Sequence, residues 1–275
     1  QYDVTWPEKE MYAGPHYRLP GKTRKYRDWK KQGHGLVDMN KAIAQSCDVY
    51  FYDLGHKLGI DAMHEFLSQF GLGRTTNLDT VGEVNGLMPS PEWKRGARGE
   101  PWYPGETIIT SIGQGYMLAT PLQLAVMTAY VANDGEAYQP RFVRAKRKVG
   151  EENFELLEPV ALPSISIKNE THWGAIKQAM VDVVHGPTGT ARKVGSDSEY
   201  VIAGKTGTAQ VFGIAQDEEY DEDILPKHLL DHALFVAYAP AEDPKIAIAV
   251  IVENGGSGSS AAAPVARKVM DAYLL

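Results

Sequence analysis

Two apolar runs near the end of the chain decide its fold class: ALFVAY at residues 233–238 and KIAIAVIV at residues 245–252. Both are short, rich in β-branched and aromatic residues, and separated by a proline-containing turn. This pattern predicts two antiparallel strands that form a hairpin. A third run of strand type, Tyr200–Phe212, precedes them, and a helical pattern from about Ala261 to Leu274 follows. The chain is therefore predicted to end in an antiparallel sheet packed against a helix.

Helical patterns predominate upstream of these strands. The first predicted helix starts after Asp38 or Asn40 and carries Ile43, Val49, Phe51 and Leu54 near one face, and the second runs from about Asp61 to Phe70 and stops at Gly71. The third is capped by Thr120, has Pro121 as its first residue and ends before Gly135. The fourth runs from about Thr171 to Val184. Residues 1–38 are predicted to form an extended loop with at most short strands, and residues 72–110 are rich in turn formers. Helices before and after an antiparallel sheet indicate an α+β fold. We expect an N-terminal loop at 1–38, a helical region at 39–185, and a sheet with a C-terminal helix at 199–275.

The composition excludes several classes of protein. The 275 residues are 43% hydrophobic and 23% charged, as in an ordinary globular domain. The formal charge of -7 argues against a broad nucleic-acid surface. The single cysteine, Cys47, excludes an internal disulfide framework. The longest apolar run is far shorter than the roughly 20 residues that a membrane-spanning helix needs.

The sharpest local motif is Lys205-Thr206-Gly207-Thr208-Ala209, which lies inside the first strand-like run. A glycine weakens a strand, so its presence there favours a place where a ligand backbone approaches closely. The neighbouring ammonium and hydroxyl groups suit a substrate carboxylate or carbonyl. The alternative is a glycine at a sheet edge flanked by solvated polar groups, and spacing alone does not separate the two.

Two further motifs are ambiguous when each is taken alone. Ser46-Cys47-Asp48 follows the start of the first predicted helix, and residues two apart do not share a helix face. Both polar side chains could reach a cleft if the helix ended or kinked there; otherwise the motif is a polar interruption of an amphipathic helix. Residues 111–115, SIGQG, form a glycine-rich turn before the Thr120 helix that could equally be a linker.

Taken together, these motifs resemble the transpeptidase domain of class B penicillin-binding proteins. The resemblance covers nearly the whole chain and keeps the order of the family's motifs. It is carried by Tyr26-Arg27-Asp28-Trp29-Lys30, Gln45-Ser46-Cys47-Asp48-Val49-Tyr50-Phe51-Tyr52, Ser111-Ile112-Gly113-Gln114-Gly115-Tyr116 with Ala119-Thr120-Pro121, Gly189-Thr190-Ala191, Lys205-Thr206-Gly207-Thr208-Ala209-Gln210-Val211-Phe212 and Glu253-Asn254-Gly255-Gly256. It implies the fold shared by penicillin-binding transpeptidases and serine β-lactamases.

The resemblance also implies roles for individual residues. The family's K-T-G motif falls on Lys205, Thr206 and Gly207; this strand and the Thr208 hydroxyl would hold the terminal carboxylate of the substrate or of a β-lactam. The Thr208 N–H would supply part of the oxyanion hole. The family's S-x-N motif falls on Ser46 and Asp48, with aspartate where asparagine is usual. Ser46 would relay a proton to or from the leaving amine, whereas an ionised Asp48 cannot donate as an amide does.

The main departure from the family is that no S-x-x-K motif, which supplies the nucleophilic serine and its lysine, occurs in the sequence. Ser90 is one position too far from Lys94, and Ser166 is one too close to Lys168. Acyl transfer needs this nucleophile. We therefore expect the chain to be a piece of a longer protein, inactive by itself and unstable when expressed alone.

Asp28, His34 and Cys47 are a candidate metal set, because carboxylate, imidazole and thiolate all suit tetrahedral zinc. The spacing Asp-x5-His-x12-Cys is not specific, and a loop histidine with a buried thiol is the alternative. Some members of the resembling family carry a zinc there with a further aspartate upstream. That position is Ala13 here, so His16 or Glu10 would have to substitute, or the site is weak or empty.

The resemblance implies a peptidoglycan D,D-transpeptidase of the cell-elongation type. It would need no catalytic cofactor, act on stem peptides and be trapped by β-lactams, which makes it an antibiotic target. It would lie at the periplasmic face of a Gram-negative inner membrane, held by an N-terminal anchor, with an elongation-complex glycosyltransferase as partner. The alternative from a different class is a non-catalytic peptidoglycan- or protein-binding module. A D,D-carboxypeptidase or a β-lactamase is a further enzymatic alternative.

Overall fold

The computed structural model describes residues 1–211 and 225–275. The strands, in chain order, are β1 (Met11–Ala13), β2 (His16–Tyr17), β3 (Tyr26–Arg27), β4 (Gly35–Val37), β5 (Ala145–Lys146), β6 (Glu155–Leu156), β7 (Ala203–Ala209), β8 (His232–Ala239) and β9 (Ile246–Val252). The helices are α1 (Met39–Ala44), α2 (Asp48–Leu58), α3 (Ile60–Leu67), α4 (Pro91–Arg98), α5 (Pro104–Thr110), α6 (Pro121–Ala132), α7 (Thr171–His185), α8 (Arg192–Gly195) and α9 (Ala263–Leu274). Within the described residues, no helix has both the length and the apolar character needed to cross a membrane.

The principal sheet is antiparallel, in the order β7-β8-β9. Strand β8 is central: Ala233, Phe235 and Ala237 on one face are buried, and Leu234 and Val236 on the other face are partly buried, which accounts for its continuous apolar run. On one face, its Phe235 belongs to a core cluster with side chains of α1, α7 and α9. On the other face, Tyr238 packs beside Ala132 of α6. The sheet is thus covered by helices on both sides, and the predicted α+β class and the β8–β9 hairpin are confirmed.

The N-terminal 38 residues contain only short strands, as predicted. Strands β1 and β4 pair antiparallel, as do β2 and β3. These two small ladders pack against α1 and α2 through a second core that includes Ala13, Val37 and Cys47. The loop is therefore folded onto the helices that carry the Ser46 motif.

Three predicted elements differ from the structure. The helix predicted to run from residue 40 through Leu54 is broken at Gln45–Cys47 into α1 and α2. Residues 72–110, predicted as turns, also hold α4 and α5, each started by a proline. The strand predicted over Tyr200–Phe212 is shorter, because β7 spans Ala203–Ala209. Phe212 and the acidic run Asp217–Asp223 lie outside the described residues.

Candidate active site

The break between α1 and α2 places Ser46 at the centre of the site. Ser46 has a φ of 55°, a left-handed conformation that an α-helix cannot contain. The indole Nε1 of Trp29 donates to Ser46 O at 2.8 Å. Asp48 is the first residue of α2, and its Oδ2 accepts from the Trp29 N–H at 3.1 Å. The sequence motif is therefore a kink, and the loop that carries Trp29 holds it in place.

Strand β7 brings the K-T-G lysine to this kink. Lys205 Nζ lies 2.9 Å from Ser46 Oγ and 2.9 Å from Thr206 O. Burial lowers the pKa of Lys205 to about 8, and the nearby Asp48 carboxylate opposes only part of that shift. A lysine with this pKa exchanges its proton near neutral pH far more readily than an exposed lysine does. The Lys205–Ser46 pair can therefore move a proton along one hydrogen bond.

The Asp48 carboxyl is half-buried beside this pair. Burial, and secondly the negative charge of Asp28, raises the pKa of Asp48 to about 7. The Trp29 N–H bond to Asp48 Oδ2 partly opposes this shift. This hydrogen bond ties the start of α2 to the loop that carries Trp29.

The two threonines of the K-T-G strand differ in their surroundings. Thr206 Oγ1 lies 2.8 Å from Thr190 Oγ1 in the turn before α8. Thr208 is exposed, and its carbonyl accepts from the side-chain amide of Gln114 at 2.7 Å. A cleft of about 470 Å³ is lined by Thr190, Trp29 and Gln45, but by none of the K-T-G residues.

The candidate metal residues do come together. The ligand atoms of Asp28, His34 and Cys47 all lie within 4.8 Å of one another, and all three residues are buried. His34 Nε2 is 3.0 Å from Asp28 Oδ1, while its Nδ1 is 3.1 Å from Gln45 Oε1. Burial raises the pKa of the Cys47 thiol to about 12, so the thiol is protonated unless a cation stabilises the thiolate.

This donor set fits three positions of a zinc site. The Gln45 contact would orient the His34 ring, as hydrogen bonds to metal-bound histidines generally do. Among the described residues, neither Glu10 nor His16 joins the group. Ala13 is adjacent, since its carbonyl accepts from the His34 N–H at 2.8 Å, but its side chain offers no ligand. The two substitutes suggested by the sequence are therefore wrong.

The structure thus brings Ser46, Asp48 and Lys205 together, and Thr206, Gly207 and Thr208 follow Lys205 on β7. Three nearby residues were not singled out as site residues from the sequence: Trp29, Gln114 and Thr190. Each of the three belongs to a motif that carried the family resemblance. Those motifs were the feature of the sequence that could have identified them as site residues. Their contacts cross large sequence separations, and a linear pattern does not show which side chains meet.

Comparison with known proteins gives matches over nearly the whole chain. A family model described as the penicillin binding protein transpeptidase domain matches residues 4–271. The peptidoglycan D,D-transpeptidase MrdA of Haemophilus influenzae is 43% identical over 272 residues, 99% of this chain and 42% of that protein. The MrdA protein of Acinetobacter baumannii is 48% identical over 263 residues, 94% of this chain and 38% of that protein. The chain therefore spans about two-fifths of the length of these curated relatives.

Solved structures show the same fold. Pseudomonas aeruginosa PBP2, crystallised in complex with WCK 5153, superposes with a TM-score of 0.85 at 48% identity, covering 99% of this chain and 57% of that one. PBP2 of Helicobacter pylori, in complex with MreC, gives a TM-score of 0.81 at 31% identity, covering 98% of this chain and 46% of that one. These similarities show that the chain has the α+β fold of penicillin-binding transpeptidases. The chain belongs to the penicillin-binding protein transpeptidase family.

Proposed function

We propose that the protein containing this chain is a peptidoglycan D,D-transpeptidase of the cell-elongation type. The observation that carries the proposal is the 2.9 Å contact between Lys205 Nζ and Ser46 Oγ, beside the strand that holds Thr206 and Thr208. Relatives of 43% and 48% identity are named peptidoglycan D,D-transpeptidases, which supports the same reaction here.

The reaction is acyl transfer through a serine. The serine oxygen bonds to the carbonyl carbon of the penultimate D-Ala, the bond to the terminal D-Ala breaks, and the leaving amine gains a proton. An amine of a neighbouring stem peptide then displaces the serine and forms the cross-link. The nucleophilic serine and its lysine lie outside these 275 residues in this proposal, since the sequence holds no S-x-x-K. No cofactor takes part.

This chain would supply the proton relay and the carboxylate site. Lys205, with its lowered pKa, would pass a proton through Ser46 Oγ to the leaving amine and recover it in the second step. The hydroxyls of Thr206 and Thr208 would hold the substrate carboxylate, and Gly207 would let the ligand approach the strand. The Thr208 N–H would stabilise the oxyanion. Asp48 would position α2.

The cellular setting proposed here follows from this function. We place the protein at the periplasmic face of a Gram-negative inner membrane, with an N-terminal anchor and an elongation-complex glycosyltransferase as partner. One solved relative is described as part of a peptidoglycan synthase complex of polymerization and crosslinking, which supports such a pairing. Another relative was solved as acyl-enzyme complexes with penicillin G and imipenem, which supports covalent trapping by β-lactams.

The test is acylation of the full-length protein by a fluorescent penicillin, followed by mass spectrometry of the labelled peptide. We expect Lys205→Ala and Ser46→Ala to slow acylation by at least 100-fold, the scale of one general acid–base group. The exposed residues Lys245 and Ser166 give matched controls, Lys245→Ala and Ser166→Ala, that should react at the wild-type rate.

Four outcomes would contradict the proposal or its relay. A full-length protein that takes up no penicillin would favour a non-catalytic binding module. Prompt release of penicilloate would favour a β-lactamase, and release of D-Ala without cross-linking would favour a D,D-carboxypeptidase. Equal acylation rates in the Ser46 and Lys205 variants and in wild type would contradict the relay.

A structural zinc held by Asp28, His34 and Cys47 is also proposed. When bound, it would join the N-terminal loop to the start of α2 and so stabilise the Ser46 kink. We expect stoichiometric zinc by mass spectrometry and a lower melting temperature after chelation. Cys47→Ser should abolish binding, whereas Ala13→Asp should add a fourth ligand and tighten it. Metal-free protein whose melting temperature is unaffected by added zinc would contradict this site.

A further inference from the structure

The edge of β7 that faces away from β8 is partly occupied by a side chain of the same protein. Among the described residues, β7 pairs with β8 alone, so its other edge is open to a ligand. In an antiparallel strand, backbone groups two residues apart point to the same side. Lys205 Nζ binds Thr206 O, and Gln114 Nε2 binds Thr208 O, so both carbonyls lie on this open edge.

The Gln114 carboxamide behaves as a short piece of a neighbouring strand. It donates to Thr208 O at 2.7 Å and accepts from the Gln210 N–H at 3.4 Å. A primary amide carries the same donor and acceptor groups as a peptide bond, so it can pair with a strand edge in the same way. The second contact is long, and it is the weaker of the two.

The backbone beneath this side chain is held firmly. The Gln114 N–H donates to Ile109 O at 3.2 Å, at the end of α5. The flanking Gly113 and Gly115 have φ values of 75° and 76°, a conformation that favours glycine and fixes the tight turn. Gln114 can therefore leave β7 by rotation of its side chain, without unfolding the turn.

Resting on the proposed function, we infer that Gln114 is a specificity-determining residue that competes with ligand amides for the Thr208 carbonyl. An extended ligand that adds to the edge of β7 pairs through its own amide N–H groups. A ligand amide reaches Thr208 O only after Gln114 Nε2 has moved away. A ligand without such an amide does not need this displacement. Gln114 thus reduces binding of amide-bearing ligands and leaves the others unaffected.

The test compares two β-lactams on the full-length protein. Benzylpenicillin carries an exocyclic amide N–H, whereas imipenem carries a hydroxyethyl group in its place. Gln114→Met keeps the size of the side chain and removes its amide. Because one neutral hydrogen bond changes an equilibrium by about threefold to tenfold, benzylpenicillin acylation should accelerate by that factor. Imipenem acylation should stay within about twofold of wild type, because imipenem has no amide N–H at this position that would have to displace Gln114.

Gln114→Ala provides a second variant, and Gln69→Met, at an exposed glutamine, is the matched control that should change neither rate. Slower benzylpenicillin acylation, or an equal change for both drugs, would show that Gln114 merely orders the turn and would overturn the inference. So would a benzylpenicillin acyl-enzyme crystal structure with Gln114 still bonded to Thr208 O. Wild-type protein that neither drug acylates would instead refute the proposed function, and the inference with it.

Discussion

Gly258 supports the K-T-G strand from behind, and its replacement by alanine tests how closely β7 must be placed. It is buried at the start of a π-helical turn, Gly258–Ala262, that leads into α9. A Cβ at this position would lie 2.2 Å from Leu234 O and 2.5 Å from Gly207 O. Both atoms are backbone, so no side chain can rotate to relieve the clash. The neighbouring strands themselves would have to move.

The size of this movement follows from the contacts. An ordinary contact begins at 3.4 Å, so the turn and the strands must separate by about 1.2 Å. Overpacking of this kind costs about 1–3 kcal/mol of stability. A misplacement of about 1 Å in a reacting group can cost roughly 100-fold in rate. We therefore expect Gly258→Ala to fold, with lower stability, and to acylate about 100 times more slowly.

The assay is urea unfolding together with penicillin acylation of the full-length protein. Gly174→Ala is the matched control, because Gly174 is exposed on α7 and a Cβ there meets nothing within 4 Å. That control should gain up to about 1 kcal/mol from helix propensity and keep its acylation rate. If Gly258→Ala unfolds at the wild-type urea concentration and acylates within twofold of wild type, the reasoning about β7 is wrong.

Two further predictions concern groups away from the site. Lys94 is buried with its Nζ 2.5 Å from Glu106 Oε1, so Lys94→Met should lower the melting temperature by several degrees, whereas Lys57→Met on the surface should not. His185 is exposed as a whole, but its Nε2 accepts from the Ile202 N–H at 3.0 Å. Desolvation of the ring, and secondly the charge of Arg267, hold the pKa of His185 below its ordinary value of 6.5. The folded state then binds fewer protons than the unfolded one, so stability should be lost as the pH falls below about 6.5. His185→Gln keeps an acceptor that does not titrate, and urea midpoints between pH 7.5 and 5 should fall less in this variant; an equal fall would exclude His185.

The helices whose ends are specified by local contacts were predictable. Thr120 Oγ1 accepts from the Gln123 N–H, and Gln123 Oε1 accepts from the Thr120 N–H. This capping box starts α6 at the residue that the sequence predicted. A capping signal of the same kind also occurs at the start of α4, where no helix was predicted. Ser90 caps that helix and Pro91 is its first residue, within a stretch interpreted as turns because of its many glycines and prolines.

The sequence predicted several candidate site residues, but it left out Trp29, Gln114 and Thr190 and did not predict the geometry. The family pattern selected Ser46, Lys205 and Thr208 from positions up to 162 residues apart in the chain. Periodicity favoured an unbroken helix through Ser46, because Ile43 and Leu54 both suit a buried face. The kink depends on Trp29, whose indole N–H donates to Ser46 O and whose backbone N–H donates to Asp48 Oδ2. A pattern of local residues does not contain that distant contact.

The sequence by itself determined the α+β class, the β8–β9 hairpin and the starts of helices such as α6, because those depend on neighbours in the chain. Motifs kept in order also selected candidate site residues, which remain predictions. The tertiary structure decided the rest. It placed Lys205 against Ser46, Gln114 on the open edge of β7, and Asp28, His34 and Cys47 within reach of one metal. Such contacts close loops of tens to hundreds of residues, and they exist only because the packed cores hold both partners in place.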